Sequence, residues 1–241
     1  TKSKKVSARP WKPEWIDNGK EVDKSVMGLE KRLWSSDSVE ADPWIQKVFG
    51  YEHYTGAGQA LGMRSVLNMP EDKTLLVILP TGDGKSLIYQ ALWQFQKSKT
   101  IAVVVPTITL AQDQESELNN NQKIKTNRPH AYIGGNEITN STIKAAIPSG
   151  EQGLFFSSPK GIVGKLSSTL IEAAERGNLG AVVIDEAHLV NDWGTDFCSE
   201  YQQLAALVSE LRSRSPDKKK PKIICLSATI DKESLDTLDS F

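Results

Sequence analysis

The chain has 241 residues, and 29 Lys and Arg against 30 Asp and Glu leave a formal net charge of −1. That length suits one large domain, or one domain with an appendage, with ample core of its own. The charge balance excludes a surface that is basic throughout, so any nucleic-acid site must be local. Cys198 and Cys225 are the two cysteines, and with three scattered histidines they form neither a disulfide framework nor a ligand cluster. No apolar run approaches the ~20 residues of a membrane span, and no stretch reads as a signal peptide. A cytoplasmic protein with reduced thiols and no membrane partner is expected. The chain opens at Thr1 without a Met and is expected to be a piece of something longer.

Residues 1–45 are expected to form an N-terminal extension, mainly helical or irregular. "TKSKKVSARPWKPEWIDNGKEVDKS" is polar and interrupted by Pro10 and Pro13, and "VMGLEKRLW" (26–34) has apolar residues at helical spacing. Trp11, Trp15, Trp34 and Trp44 are its expected packing anchors. From residue 46 onward short β-branched runs alternate with helical segments. Strands are predicted at 74–79, 101–105, 130–133, 153–157, 181–184 and 223–227. Helices are predicted at 85–98, 110–118, 167–177 and 200–213. Continuous apolar strands joined by helical crossovers predict an α/β domain over 46–241, a mostly parallel sheet covered by helices on both faces. Ligands in such sheets sit beyond the carboxyl ends of the strands.

At the end of the first predicted strand stands "LPTGDGKS" (79–86), which then opens a helix. Gly82 and Gly84 let the backbone curl so that successive N–H groups point at phosphate oxygens, and the helix start adds positive charge. Thr81, Gly82, Asp83, Gly84, Lys85 and Ser86 would then hold a triphosphate. Lys85 would reach the β- and γ-phosphates, and the Ser86 hydroxyl would complete a Mg²⁺ shell. The strict P-loop spacing wants Gly where Leu79 stands, so a plain Gly-rich turn is the alternative.

"AVVI" (181–184) runs into Asp185 and Glu186. A carboxylate at the tip of a strand expected beside the P-loop strand can hold Mg²⁺, and the next residue can orient and deprotonate an attacking water. Asp185 is thus the candidate metal residue, Glu186 the candidate base, and His188 a link to the rest of the protein. Taken alone, "DEAH" could be an acidic first turn of a helix. Together the two stretches predict one site that hydrolyses a nucleoside triphosphate.

The order "LPTGDGKS … DEAH … SAT", the last being Ser227, Ala228 and Thr229, resembles superfamily 2 helicases and translocases. More specifically, "DEAHLVNDWGTDFCSEYQQL" (185–204) resembles the RecQ family, whose metal motif runs into an aromatic-rich loop. "FGYEHYTGAGQALGMRSVL" (49–67) is similar to that family's adenine-recognition motif. "VVVPTITLAQDQ" (103–114) and "FFSSPK" (155–160) resemble its DNA-backbone elements. The resemblance implies the first RecA-like domain of an ATP- and Mg²⁺-dependent DNA helicase. Phe49, Tyr51 and Gln59 would frame the adenine, with Gln59 reading its edge. Pro106, Thr107 and Ser158 would meet the DNA backbone, solvated loop positions being the alternative for Thr107 and Ser158. Trp193, Asp196 and Phe197 would sense single-stranded DNA and relay that to the ATP site, burial under a loop being the alternative for Trp193 and Phe197. Ser227 and Thr229 would couple hydrolysis to movement between domains.

Departures from the family pattern mark a divergent branch. The adenine motif is one residue longer, with Thr55 near the place of an Arg; Asp83 replaces a common Gly; Cys198 replaces an Arg; and Leu189 stands where Cys is frequent. The expected partners are single-stranded DNA, or DNA with single-stranded regions, and a second RecA-like lobe carrying arginine fingers elsewhere in the parent chain. Other subunits of a DNA-processing complex are also candidates. The stretch alone is expected to bind ATP and unwind nothing. An RNA motor leaves the RecQ-like loop unexplained, and a metabolite kinase leaves "SAT" unexplained. A nucleotide-gated scaffold of a DNA-defence or DNA-modification complex, without strand separation, is the alternative of a different class.

Overall fold

The six apolar runs pair as strands of a single sheet: β1 (Thr74–Ile78), β2 (Thr100–Val104), β3 (Ala131–Tyr132), β4 (Leu154–Ser157), β5 (Leu179–Ile184) and β6 (Lys222–Ser227). The structure is a computed structural model that describes residues 39–70, 73–121, 124, 128–189, 194–230 and 234, with the backbone alone over 194–199. The segment 1–38, with the expected helix at 26–34, lies outside these residues.

Every strand pairing is parallel, and the spatial order is β1-β6-β5-β2-β4-β3. One expectation is corrected here. The strand ending in Asp185 and Glu186 is not beside the P-loop strand, because β6 lies between them, with Thr74 opposite Ile223 on one side and Ile184 opposite Cys225 on the other. The crossover after β1 carries the chain past two strand positions, and β5 and β6 later fill that gap. Ser227 therefore emerges between the phosphate loop and the carboxylates.

Side chains alternate between two cores along each strand, as the pleat requires. Ile101, Val103, Ile224 and Leu226 face one layer, built from α1 (Pro43–Phe49), α2 (Ala57–Asn68), α3 (Ser86–Phe95) and α4 (Ile108–Asn120). Ala102, Val104, Ile223 and Cys225 face the other layer, built from α5 (Glu137–Ala146), α6 (Pro159–Val163), α7 (Ser167–Glu175) and α8 (Gly194–Arg214). Helix α1 contributes Ile45 and Phe49 to the first core. The strand-like residues before it bridge back to the loop after it, Ala41 N–H donating to Glu52 O and Tyr54 N–H to Val39 O.

Helix α2 escapes prediction because its glycines depress helix propensity. Packing explains them: a Cβ on Gly62 would come within 3.0 Å of Val77 and 3.2 Å of Ile88, so α2 lies against β1 and α3 at a distance only glycine permits. Among the described residues no helix is long and apolar enough to cross a membrane.

Candidate nucleotide and nucleic-acid site

Because all strands run the same way, their carboxyl ends share one edge. Along it stand, in spatial order, the phosphate loop after β1, Ser227 and Thr229 after β6, Asp185 to His188 after β5, Pro106 and Thr107 after β2, and Ser158 after β4. Backbone hydrogen bonds knit these exits together: Leu79 N–H to Ser227 O, Ala187 N–H to Leu226 O, Asp185 N–H to Val104 O and Val105 N–H to Ser157 O, all at 2.8–2.9 Å.

The phosphate loop has the curl its glycines predict. Gly82 (φ +91°) and Gly84 (φ +68°) adopt left-handed backbone, and Asp83 N–H closes a turn on Pro80 O. The N–H groups of Gly82, Gly84, Lys85 and Ser86 have no protein acceptor among the described residues. Donors left open at the start of a helix form an anion cradle. A Cβ on Gly82 would meet nothing within 4 Å, so the mouth of the cradle is open.

From beneath, the loop is gripped by the segment before α2. Gln59, 4% exposed, donates through Nε2 to Gly84 O at 2.8 Å and accepts through Oε1 from Thr55 N–H at 2.9 Å. The Thr55 hydroxyl donates to Asp83 O at 2.9 Å. Gln59 is thus placed at the phosphate loop with its amide engaged by backbone. Phe49 is buried and stacks at 6.2 Å on Tyr51, so of these two rings Tyr51, 44% exposed, offers the open face. Thr81 is exposed at the loop's tip. The grip by Thr55 and Gln59 was not foreseen. Two polar residues just before a helix that leads to the P-loop strand were its only trace.

Lys85 folds over the loop, donating to Leu79 O at 3.3 Å and lying 3.8 Å from Glu186 Oε1. Glu186 has φ +51°, an uncommon conformation for a side chain of its size, and its N–H donates to Asp185 Oδ1 at 3.0 Å. That curl turns its carboxylate toward both Lys85 and His188, whose Nδ1 is 3.4 Å from Glu186 Oε2 and 3.0 Å from Ser227 Oγ. Ser227 has one hydroxyl proton and donates it to Thr229 O, so Nδ1 of His188 must carry the hydrogen that Ser227 accepts. Four predicted residues, Glu186, His188, Ser227 and Thr229, form one chain of contacts that starts at Lys85.

Burial, and then the neighbouring charge of Glu186, push the Asp185 carboxyl up to about 6, with Lys85 and the Glu186 N–H opposing. The pair therefore holds more negative charge than Lys85 balances, which a divalent cation would relieve. The available donors, the Ser86 hydroxyl and the Asp185 carboxylate, are hard oxygens. No group of three or more His, Cys, Asp and Glu that could hold a metal occurs among the described residues. Few protein ligands beside a phosphate cradle fit Mg²⁺, which keeps water and phosphate in its shell.

On β2 and β4 the hydroxyls do something else. Thr107 Oγ1 accepts from Leu110 N–H at 3.2 Å and caps α4, and Ser158 Oγ accepts from Gly161 N–H at 3.2 Å and caps α6. Pro106 is buried. Helix α8 starts at Gly194, earlier than expected, so Asp196 and Phe197 lie on helical backbone. Their side chains, and Trp193 altogether, lie outside the described residues.

The DEAD/DEAH box helicase family model matches residues 57–238. ATP-dependent DNA helicase RecQ of Haemophilus influenzae is 30% identical over 189 residues, covering 78% of this chain and 27% of that protein. ATP-dependent DNA helicase Q5 of Rattus norvegicus is 31% identical over 175 residues, covering 69% of this chain and 17% of that one. The chain thus spans less than a third of the length of these relatives. Among solved structures, the DUF1998 helicase MrfA bound to DNA and AMPPNP superposes with a TM-score of 0.64 at 21% identity, over 83% of this chain and 28% of that one. The DEAD-box helicase Mss116 bound to ssRNA and UDP-BeF superposes at 0.60 with 17% identity, over 83% and 41%. At such identities the likeness is one of fold, the RecA-like parallel sheet of helicases. The strand-borne phosphate loop, the DEAH carboxylates and the family match agree, and the chain belongs to the DEAD/DEAH box helicases, with RecQ helicases among its relatives.

Proposed function

We propose that this domain binds ATP with Mg²⁺ and serves as a motor lobe of an ATP-dependent DNA helicase or translocase that moves on single-stranded DNA. The observation that carries the reading is the contact chain from Lys85 through Glu186 and His188 to Ser227 and Thr229, which joins three loops that the sequence keeps far apart.

The open N–H groups of the phosphate loop bind the triphosphate, and Lys85 exchanges Leu79 O for phosphate oxygens. Ser86 and Asp185 would hold Mg²⁺, which supplies charge stabilisation to the transferring phosphoryl group. Glu186 orients the attacking water and takes its proton. Because Glu186 also faces His188, a change in its charge alters the His188 to Ser227 contact, and so reaches the loop after β6. Tyr51 is the ring available to the adenine, and Thr107 and Ser158 mark the path of the nucleic-acid backbone. Relatives named as DNA helicases favour DNA over RNA. In this reading strand separation belongs to the longer protein, in which a second RecA-like lobe closes the site.

The test is ATP hydrolysis and binding with no nucleic acid, single-stranded DNA or single-stranded RNA, with Lys85→Ala as control. We expect at least tenfold weaker nucleotide binding in the variant, and stimulation of the unaltered protein by DNA above RNA. Tight, Lys85-dependent binding that ignores both polymers would instead favour a nucleotide-gated scaffold.

A further inference from the structure

Tyr89 sits one helical turn after Lys85 and is entirely buried, its ring edge-on to Phe156 of β4 at 5.9 Å. Its hydroxyl donates to Gln114 Oε1 at 2.5 Å, and Gln114 lies on α4, the helix that Thr107 caps at the carboxyl edge. A buried phenol needs an acceptor, and this one finds it on a different helix, 25 residues away in sequence. On its other side is the Ser86 hydroxyl, which eases the ionisation that burial and the charges of Asp185 and Glu117 push far up.

Proton counting fixes the direction of these contacts. Tyr89 has a single O–H hydrogen and gives it to Gln114, so toward Ser86 the phenol oxygen can only accept. The Ser86 hydroxyl hydrogen is then drawn toward Tyr89, and its lone pairs are left facing the cradle, where a cation needs them. The same phenol ties the start of α3 to α4, so that a shift at either helix meets the other through two side chains.

We infer that Tyr89 is a positioning residue that orients Ser86 for the cation and, through Gln114, couples the nucleotide site to the nucleic-acid face at Thr107. This rests on the proposed function. By linkage, the effect of nucleic acid on nucleotide affinity equals the reverse effect, so one titration reports it.

The experiment measures affinity for a fluorescent ATP analogue in Mg²⁺ or in EDTA, each with and without a saturating single-stranded DNA oligonucleotide. It compares the unaltered chain with Tyr89→Phe and Gln114→Leu, thermal melting confirming that each is folded. Tyr89→Phe should reduce the Mg²⁺-to-EDTA affinity ratio about fivefold, the net worth of one hydrogen bond. Both variants should bring the oligonucleotide's effect on affinity toward one. If Tyr89→Phe does not fold, Gln114→Leu decides: loss of the oligonucleotide effect supports the inference and its retention overturns it. Folded variants that keep both ratios overturn it too, as does an unaltered chain whose nucleotide affinity ignores DNA. Absence of any Lys85-dependent binding in the unaltered chain would sink the proposed function itself.

Discussion

The two halves of the sheet's carboxyl edge are built differently. Around β1, β6 and β5, functional side chains hold other functional loops: Gln59 and Thr55 hold the carbonyls of Gly84 and Asp83, and His188 joins Glu186 to Ser227. On β2 and β4, Thr107 and Ser158 hold only the first turns of the helices they cap. The nucleotide half is a network in which each loop depends on another, and the nucleic-acid half is a row of local devices. Substitutions should therefore be strongly non-additive in the first half and additive in the second.

The largest effect is expected at Gly84. A Cβ there would stand 2.3 Å from Gln59 Nε2, on backbone with φ +68°. Gly84→Ala combines backbone strain with the ejection of a buried amide from its hydrogen bonds, and should cost about 3 kcal/mol. Gln59→Ala should cost less alone and add almost nothing in the Gly84→Ala background, because the contact it removes is already lost. Urea denaturation of the four proteins checks this, and strict additivity would break the description of this half as a network.

The same contrast explains what was legible in the sequence. All six strands and the phosphate loop could be read, because β-branched runs and a Gly-Lys-Ser turn after a strand are local signals. Strand order could not. That β6 rather than β5 neighbours β1 depends on crossovers spanning most of the chain, and no local residue pattern encodes it. Helix α2 was hidden for a related reason: Gly58 and Gly62 read as breakers, and only the closeness of Leu79, Val77 and Ile88 shows why they are there. Gln59 was legible as a site residue, but its engagement with Gly84 O was not, since a side chain's partner across 25 residues is set by packing. The caps at Thr107 and Ser158 were readable in principle, as Ser or Thr directly before a helix.

A second prediction concerns the charge stored in the nucleotide half. The Asp185 carboxyl stands at about 6 against a model-compound value of 3.8. A carboxyl raised in the folded state favours folding only while it is protonated. Its penalty is absent below the unfolded value, grows as pH rises through the folded value, and is complete above it. Asp185→Asn should therefore stabilise the nucleotide-free chain by about 2 kcal/mol at pH 7.5, a figure discounted for solvent screening of a half-buried group. The gain should vanish near pH 4, while Mg²⁺-dependent nucleotide binding is lost. Denaturation at the two pH values checks the sign, and a variant less stable at pH 7.5 would show that Asp185 is a structural partner instead.

The smallest effects belong to the nucleic-acid half, and there they separate two roles of one hydroxyl. Thr107→Ala and Ser158→Ala should each cost about 1 kcal/mol as lost caps, and the double variant should show their sum, since α4 and α6 are capped independently. Stability alone cannot tell a cap from a cap that also meets a phosphate. Thr107→Asp can: a carboxylate accepts the Leu110 N–H as well as a hydroxyl does and suits a helix start, so stability should return to that of the unaltered chain. If Thr107 also faces the DNA backbone, the same carboxylate repels it, and single-stranded DNA affinity should fall severalfold, more steeply at low salt. Unchanged affinity in the stable Thr107→Asp protein would reduce Thr107 to a cap and move the nucleic-acid path away from β2.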